Sequence, residues 1–199
     1  GEKKWGNLCF VGGGSAGMAA AVFAAEAGCT AELFEQNEKL GKKLFITGKG
    51  RCNFTNACDT EELFRNIVTN PKFLYSAFYG FDSGRAVDFF ERLGVKTKVE
   101  RGGRAFPYSD HSSDIIRALE RRMKELGVKE HLNTRVRGLW TEEDAAAGLV
   151  LEDGSRVRGD SVIVATGGCS YRSTGSTGDG YRYAESTGHT VQEPHPALV

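Results

Sequence analysis

The hexapeptide Gly12-Gly13-Gly14-Ser15-Ala16-Gly17 follows the apolar run Leu8–Val11 and opens an alanine-rich segment, Ser15 to Ala27, that stops at Gly28. Strand, tight turn and helix in that order are what G-x-G-x-x-G needs in order to bind a pyrophosphate. Gly12 permits the turn, Gly14 lets the phosphates approach the backbone, and Gly17 lets helix and strand pack closely. The helix N-terminus adds free N–H groups and partial positive charge. Eighteen residues past Gly17, Glu35 ends a second extended run, Thr30–Phe34. A carboxylate there accepts hydrogen bonds from a ribose diol and repels a 2′-phosphate. By itself the hexapeptide reads as a plain glycine turn; with strand, helix and acid in place, the reading is a dinucleotide-binding βαβ unit. The spacing is common to FAD and NAD sites.

The elements that must position this unit follow from periodicity. Residues 36–58 show neither helical nor strand period and are rich in Gly, Lys and Asn, which predicts a long ordered loop of the kind that carries function. Helix-like stretches at 60–68, 71–80 and 83–93 form a helical cover, the last with Ala86, Val87, Phe90 and Leu93 on one face and Gly94 at its end. Val95–Glu100 reads as a strand and Arg101–Pro107 as a polar loop. Ser112 or Ser113 then caps a helix over 113–126 whose inner face carries Ile116, Leu119, Met123 and Leu126. Short runs at Asn133–Trp140 and Gly148–Leu151, with Val157 after an Asp153-Gly154 turn, read as an antiparallel meander. Val162-Ile163-Val164-Ala165 is wholly apolar and is expected at the centre of a parallel sheet, buried on both faces. The fold class is α/β: a doubly wound, Rossmann-like domain with a parallel central sheet, a small β-meander and a helical cover.

Composition narrows the function classes. Lys plus Arg and Asp plus Glu are both 26 in 199 residues, so no basic field exists to hold a nucleic-acid backbone, and nucleic acid is not an expected partner. No window approaches the roughly 18 apolar residues of a membrane span, and a membrane partner is not expected. The apolar run behind Gly1-Glu2-Lys3-Lys4-Trp5 breaks at Gly12–Gly14, unlike a signal-peptide core. Cys9, Cys29, Cys52, Cys58 and Cys169 form no C-x-x-C pair and stand near no paired histidines, so neither a disulfide framework nor a metal site is expected, and a reducing cytoplasm is the expected location.

The run Lys42-Lys43-Leu44-Phe45-Ile46-Thr47-Gly48-Lys49-Gly50-Arg51-Cys52-Asn53-Phe54-Thr55-Asn56 resembles the signature of a bacterial flavoprotein family of the glutathione-reductase-like superfamily, the BaiN-like or aminoacetone oxidase-like NAD(P)/FAD-dependent oxidoreductases. Gly103–Pro107, Val162–Gly168 and Gly175–Gly180 resemble the same family in the same order, so the likeness spans nearly the whole chain. It implies FAD, with the ADP half on Gly12, Gly13, Gly14, Ser15, Ala16, Gly17, Glu35 and Gln36, and with Lys43 near the ribose or phosphates. It also implies Gly50, Arg51, Cys52, Asn53, Thr55 and Asn56 near the flavin, and Ala165, Thr166, Gly167 and Gly168 packed against the cofactor. Val136 is implied as a backbone contact to adenine. Independently, ligands of open α/β sheets lie beyond the carboxyl ends of strands, where Glu35, the 42–56 loop and Thr166 all fall. The family's chains run on past this sequence. The expectation is that residues 1–199 are the N-terminal portion of an FAD-binding domain, lacking an inserted β-rich substrate domain after Pro196-Ala197-Leu198-Val199 and a C-terminal segment that returns to the FAD domain.

Other residues carry weaker signals. Cys52 beside the flavin loop reads as a packed thiol rather than a redox partner, since no second cysteine forms a local dithiol. Arg101 and Arg104 suit an anionic substrate or a solvated loop equally. Lys42, Lys43 and Lys49 face phosphates or solvent, Lys43 being favoured for the cofactor by its place in the family motif. His111, His131, His189 and His195 lack ligand spacing and receive no role. Ser15 follows Gly12–Gly14, but it lies at the helix start where its hydroxyl would meet phosphate, so it is not read as a nucleophile elbow and hydrolase chemistry has no support. The expected function is FAD-dependent oxidoreduction by hydride transfer at the flavin, with an unidentified small-molecule substrate, NAD(P)H or oxygen as electron partner, and no assigned catalytic side chain. The alternatives are a non-catalytic dinucleotide-binding module and an NAD-binding enzyme fragment.

Overall fold

The computed structural model describes residues 5–196. Gly1–Lys4, and Ala197–Val199 of the segment where the inserted domain is expected, lie outside the described residues. In chain order the elements are β1 (Trp5–Val11), α1 (Ser15–Glu26), β2 (Cys29–Phe34), α2 (Lys42–Ile46), β3 (Thr55–Asn56), α3 (Thr60–Arg65), α4 (Tyr75–Gly80), α5 (Ser83–Arg92), β4 (Thr97–Glu100), β5 (Arg104–Pro107), α6 (Ser112–Glu125), β6 (Lys129–His131), β7 (Val136–Glu142), β8 (Ala145–Leu151), β9 (Arg156–Arg158), β10 (Ser161–Val164) and α7 (Asp179–Ser186). The chain divides into two compact units, one formed by the segments up to Lys42 and from Met123 onward, the other by Lys43–Arg122.

The first unit is built on a parallel sheet of order β10-β1-β2-β6. Cys9, Phe10 and Val11 are buried in succession, so β1 is covered on both faces, as a central parallel strand must be. Helix α1 makes the crossover from β1 to β2, burying Met18, Ala21 and Val22 at i, i+3 and i+4. It closes where Gly28 takes a φ of 92°, the left-handed position that ends many helices. β7, β8 and β9 form the antiparallel meander. Leu149 and Val136 of the meander pack with Cys9, Val11 and Phe34 of the parallel sheet and Tyr183 of α7 in one apolar cluster.

The second unit holds a three-stranded antiparallel sheet, β3-β5-β4, with α5 packed on β3 and β4. Aspartates start two of its helices: Asp59 accepts from the Glu62 N–H at 2.7 Å and Asp82 from the Arg85 N–H at 2.8 Å.

Several elements differ from the expectation. β10 is an edge strand of the described sheet rather than a central one, and Ile163 and Val164 are exposed. An apolar run signals that a strand tolerates burial and says nothing of how many strands flank it. β3 and β5 replace parts of segments read as loops, being too short to show a period of two, and α2 interrupts the loop predicted over 36–58. β6 is polar in sequence and joins the sheet through its backbone ladder to β2, with the His131 ring stacked on Phe34 at 4.5 Å and bonded to the Glu32 carboxylate at 2.9 Å. α7 lay hidden because its first turn sits inside the glycine-rich Gly175–Gly180 motif. No helix among the described residues is long and apolar enough to cross a membrane.

Replacing Leu149, which has no solvent exposure, by alanine is expected to lower unfolding free energy by about 2–5 kcal/mol, measured by denaturant titration.

Candidate dinucleotide site

The four glycines of the motif differ in what surrounds them. A Cβ at Gly17 would fall onto the Gly12 carbonyl, and one at Gly12, where φ is 105°, onto the Ala165 carbonyl. One at Gly13 would strike the Leu40 side chain, whereas Gly14 has open space around it. The turn is held by hydrogen bonds from the Gly12 N–H to the Phe34 carbonyl at 2.9 Å and from the Ala165 N–H to the Val11 carbonyl at 2.7 Å. No side chain caps α1, and no acid stands in its first turn, so its N-terminal donors and positive field are offered to a ligand.

Glu35 is buried at the end of β2. One carboxylate oxygen accepts from the Gly13 N–H at 3.0 Å and the other from the Asn37 N–H at 2.8 Å. A carboxylate offers about four acceptor positions, so these two bonds orient it and leave lone pairs for a diol. Its backbone is also fixed, donating to the His131 carbonyl and accepting from the Thr134 N–H, each at 2.9 Å. The Gln36 side-chain amide, implied for the cofactor, donates instead to the Gly175 carbonyl at 2.9 Å, and Asn37 does the same to Thr174. These two amides clamp the 172–175 turn to the end of β2.

Beyond β10, the Thr166 hydroxyl is buried without a hydrogen-bond partner among the described residues. An unsatisfied polar atom is costly, and a ligand or water at the strand end removes that cost. Gly167 takes a φ of 74°, and the Gly168 carbonyl accepts from the Gly178 N–H at 3.3 Å. The carbonyl of Val136 accepts from the Tyr183 hydroxyl at 2.7 Å. The first unit thus gathers Gly12 to Gly17, Glu35, Gln36, Val136 and Ala165 to Gly168. The open face at Gly14, the uncapped helix and the orphaned hydroxyl fit a dinucleotide.

In the second unit the residues implied for the flavin form one continuous loop stapled to β5. Gly48, Lys49, Gly50 and Cys52 all have positive φ, 60°, 57°, 85° and 61°, so the backbone coils left-handed through the signature. The Asn53 amide donates to the carbonyls of Thr55 at 2.9 Å and Ala105 at 3.0 Å, and that of Asn56 to Gly102 at 2.8 Å. Thr55 pairs with Ala105 across the β3–β5 ladder. Cys52 is buried and its thiol is pushed up to about 11 by desolvation, so it is protonated at neutral pH and a poor nucleophile. Lys43 accepts at its carbonyl from the Thr47 hydroxyl at 3.0 Å.

Arg51 is committed within this unit. Its guanidinium pairs with Glu100 at 2.5 Å and Asp110 at 2.7 Å and lies 4.1 Å from the centre of the Phe106 ring, while Lys98 pairs with Asp110 at 2.6 Å. Arg104 donates to the Arg101 carbonyl at 3.1 Å. Sequence reasoning missed Asn37, Leu40, Phe106 and Tyr183, and the acidic partners of Arg51. Only Asn37, next to Glu35, stood close enough to a motif to be found from sequence.

A glycine turn at the head of a parallel sheet, with a buried acid at the next strand end, defines a Rossmann-type dinucleotide-binding domain. The chain belongs to the family described as HI0933-like protein Rossmann domain, which matches residues 7–195. This is a family of FAD-dependent oxidoreductases, and FAD is its cofactor. The chain is 38% identical to a 3-dehydro-bile acid delta(4,6)-reductase of Clostridium scindens over 97% of its own length and 46% of that protein. It is 29% identical to a ribosomal RNA dihydrouridine synthase of Escherichia coli over 97% of its length and 47% of that protein. A flavocytochrome c3 fumarate reductase structure in its open conformation superposes with a TM-score of 0.62 at 26% identity, over 94% of this chain and 41% of that one. The chain therefore spans about half the length of the curated relatives it matches.

Hydrogen bonds from Lys98 and Arg51 hold Asp110 below the ordinary aspartate value of 3.8, and those from Arg51 and Lys98 hold Glu100 below the ordinary 4.5. Carboxyls with lowered folded values contribute stability that is complete above the ordinary carboxylate range and lost as pH falls through the lowered values. Thermal melts between about pH 5 and pH 2 are therefore expected to fall more steeply for the wild type than for a Glu100→Gln, Asp110→Asn variant.

Proposed function

We propose that the protein is a flavin-dependent reductase in which the first unit holds the ADP half of FAD on Gly12–Gly17, Glu35 and Val136. The residues Lys43 and Gly50–Asn56 of the second unit serve its flavin end. The observation that carries this reading is the buried, doubly oriented Glu35 carboxylate beside a glycine turn whose Gly14 is open. When bound, FAD supplies hydride transfer at its N5, and the chain supplies position and electrostatics. The uncapped N-terminus of α1 faces the pyrophosphate with its N–H groups, Glu35 accepts the ribose hydroxyls and disfavours a 2′-phosphate there, and Thr166 offers its unpartnered hydroxyl.

The names of the relatives suggest the substrate class. A 3-dehydro-bile acid delta(4,6)-reductase, a dihydrouridine synthase and a fumarate reductase all denote the saturation of a carbon–carbon double bond conjugated to a carbonyl group. Such a bond accepts hydride at its β-carbon and a proton at its α-carbon, and it is the substrate class we assign. The higher identity to the relative named for a small molecule, together with the balanced charge of the chain, favours a small cyclic enone over RNA. The electron donor in this reading is NAD(P)H, since saturating the double bond consumes the reduced flavin and oxygen could only oxidise it; the site of action is the cytoplasm, and residues 1–199 are the N-terminal portion of the FAD-binding domain.

The full-length protein is expected to retain the two-band visible spectrum of oxidised flavin after incubation with FAD and desalting, and to bleach anaerobically with a reductant and recolour on adding a steroidal 4-en-3-one. A colourless protein that takes up NAD overturns the choice of cofactor. One that takes up neither overturns the cofactor assignment itself. Gly14→Ala, whose added Cβ meets nothing within 4 Å, is expected to lower unfolding free energy by no more than about 1 kcal/mol, the cost of alanine at a helix N-cap, while weakening FAD binding by about tenfold or more, measured by fluorescence titration.

A further inference from the structure

Between one face of α6 and the turn that follows α5, the second unit carries a groove of about 440 Å³, a size that suits a small ligand. Asp114, Arg117 and Arg121 stand at i, i+3 and i+7 on α6 and so line it as one stripe of the helix. Lys96 lines it from the turn, and Tyr108 and Ser109 from the segment after β5. Three cations against one carboxylate leave two positive charges in excess here, in a chain whose formal net charge is zero. The carboxylate is already engaged: Asp114 accepts from the Ser109 hydroxyl at 2.5 Å and from the Arg117 guanidinium at 2.8 Å. Arg121 donates to the Leu93 carbonyl at 2.5 Å. Both arginines bond through one terminal nitrogen, and a guanidinium has five N–H donors, so each keeps donors to spare. The Lys96 ammonium has no ion-pair or hydrogen-bond partner among the described residues.

We propose that this groove binds a phosphate monoester, whose oxygens are met by the Lys96 ammonium and by the unspent guanidinium donors of Arg117 and Arg121. A phosphate monoester carries close to two negative charges at neutral pH, which matches the excess in the groove, and the planar fork of arginine fits its oxygens. The segment that brings Tyr108 and Ser109 to the groove also holds the signature loop, for Asp110 pairs with Arg51 at 2.7 Å and the Ser112 hydroxyl donates to the Phe45 carbonyl at 2.7 Å. The groove and the loop implied for the flavin therefore share one stretch of chain. Two sources carry the required group: the 2′-phosphate of NADPH and a free small phosphate ester. Only the first of these rests on the flavin-reductase reading.

Calorimetric titration of the full-length protein, saturated with FAD so that the glycine turn is filled, tests this with 2′,5′-ADP, inorganic phosphate and adenosine as probes. Wild type is expected to bind at least one of the two phosphates saturably and adenosine not at all. The double variant Lys96→Gln, Arg117→Gln is expected to weaken that binding by about tenfold or more, the worth of charge-assisted hydrogen bonds. Both side chains are exposed, so the variant is expected to melt as wild type does. Lys72→Gln removes the same charge from an exposed site that does not line the groove, and is expected to change affinity by less than about twofold. Binding of 2′,5′-ADP about tenfold tighter than phosphate assigns the group to the nicotinamide donor, and similar affinities assign it to a free ester. No saturable binding of either phosphate, or undiminished binding by the double variant, overturns the proposal. Failure to take up FAD strikes the FAD reading alone, because the phosphate titration and its loss in the double variant are read equally on the unloaded protein.

Discussion

The first unit depends on one close approach, where the backbone of Gly12 is wedged between α1 and the segment that follows β10. The Gly12 carbonyl occupies the place of a side chain at Gly17, and the Ala165 carbonyl occupies the place of one at Gly12. With no Cβ at either position, β1, α1 and β10 converge on a single turn, and the hydrogen bonds from Gly12 to Phe34 and from Ala165 to Val11 bring β2 to the same point. Close-packed interiors have little room to relax, so a methyl group at either glycine would separate the three elements. The contact that makes the sheet compact also builds the proposed anion site, because it brings the N-terminus of α1 up against the strand ends.

The buried acid at the end of β2 depends on that turn. A carboxylate out of water is tolerable only when hydrogen-bonded, and the Gly13 N–H that meets Glu35 is available because the glycine turn leaves it unpaired within the backbone. Asn37 supplies the second bond and, through its side chain, ties down the 172–175 turn. Binding chemistry and folding chemistry are therefore shared in this unit. Glu35 organises the chain around it and keeps acceptor capacity for a sugar.

In the second unit the corresponding role falls to charge. The signature loop coils through left-handed residues that favour no regular ladder, and it is held by side chains: the amides of Asn53 and Asn56 on the carbonyls of Ala105 and Gly102, and Arg51 between Glu100, Asp110 and the face of Phe106. Exposed ion pairs are individually weak, but a planar guanidinium shared by two carboxylates and stacked on a ring is restrained in geometry as well as in charge. The loop's shape is thus set by residues about 50 positions further along the chain.

The sequence by itself determined the βαβ unit, the glycine turn, the acid at the second strand end and the meander, because each is a local pattern in which glycine freedom, period and spacing act over fewer than about 30 residues. It also showed, through the signature around Gly50–Asn56, which family's chemistry to expect. The tertiary structure decided the rest. Only pairing across the chain could show that β10 stands at the edge of the described sheet, that polar Lys129–His131 forms a strand, and that Arg51 is neutralised by Glu100 and Asp110. It alone could show that Tyr183 closes on Val136, 47 residues away. Those features rest on hydrogen bonds and charges between residues far apart in sequence, whose partners no local pattern names.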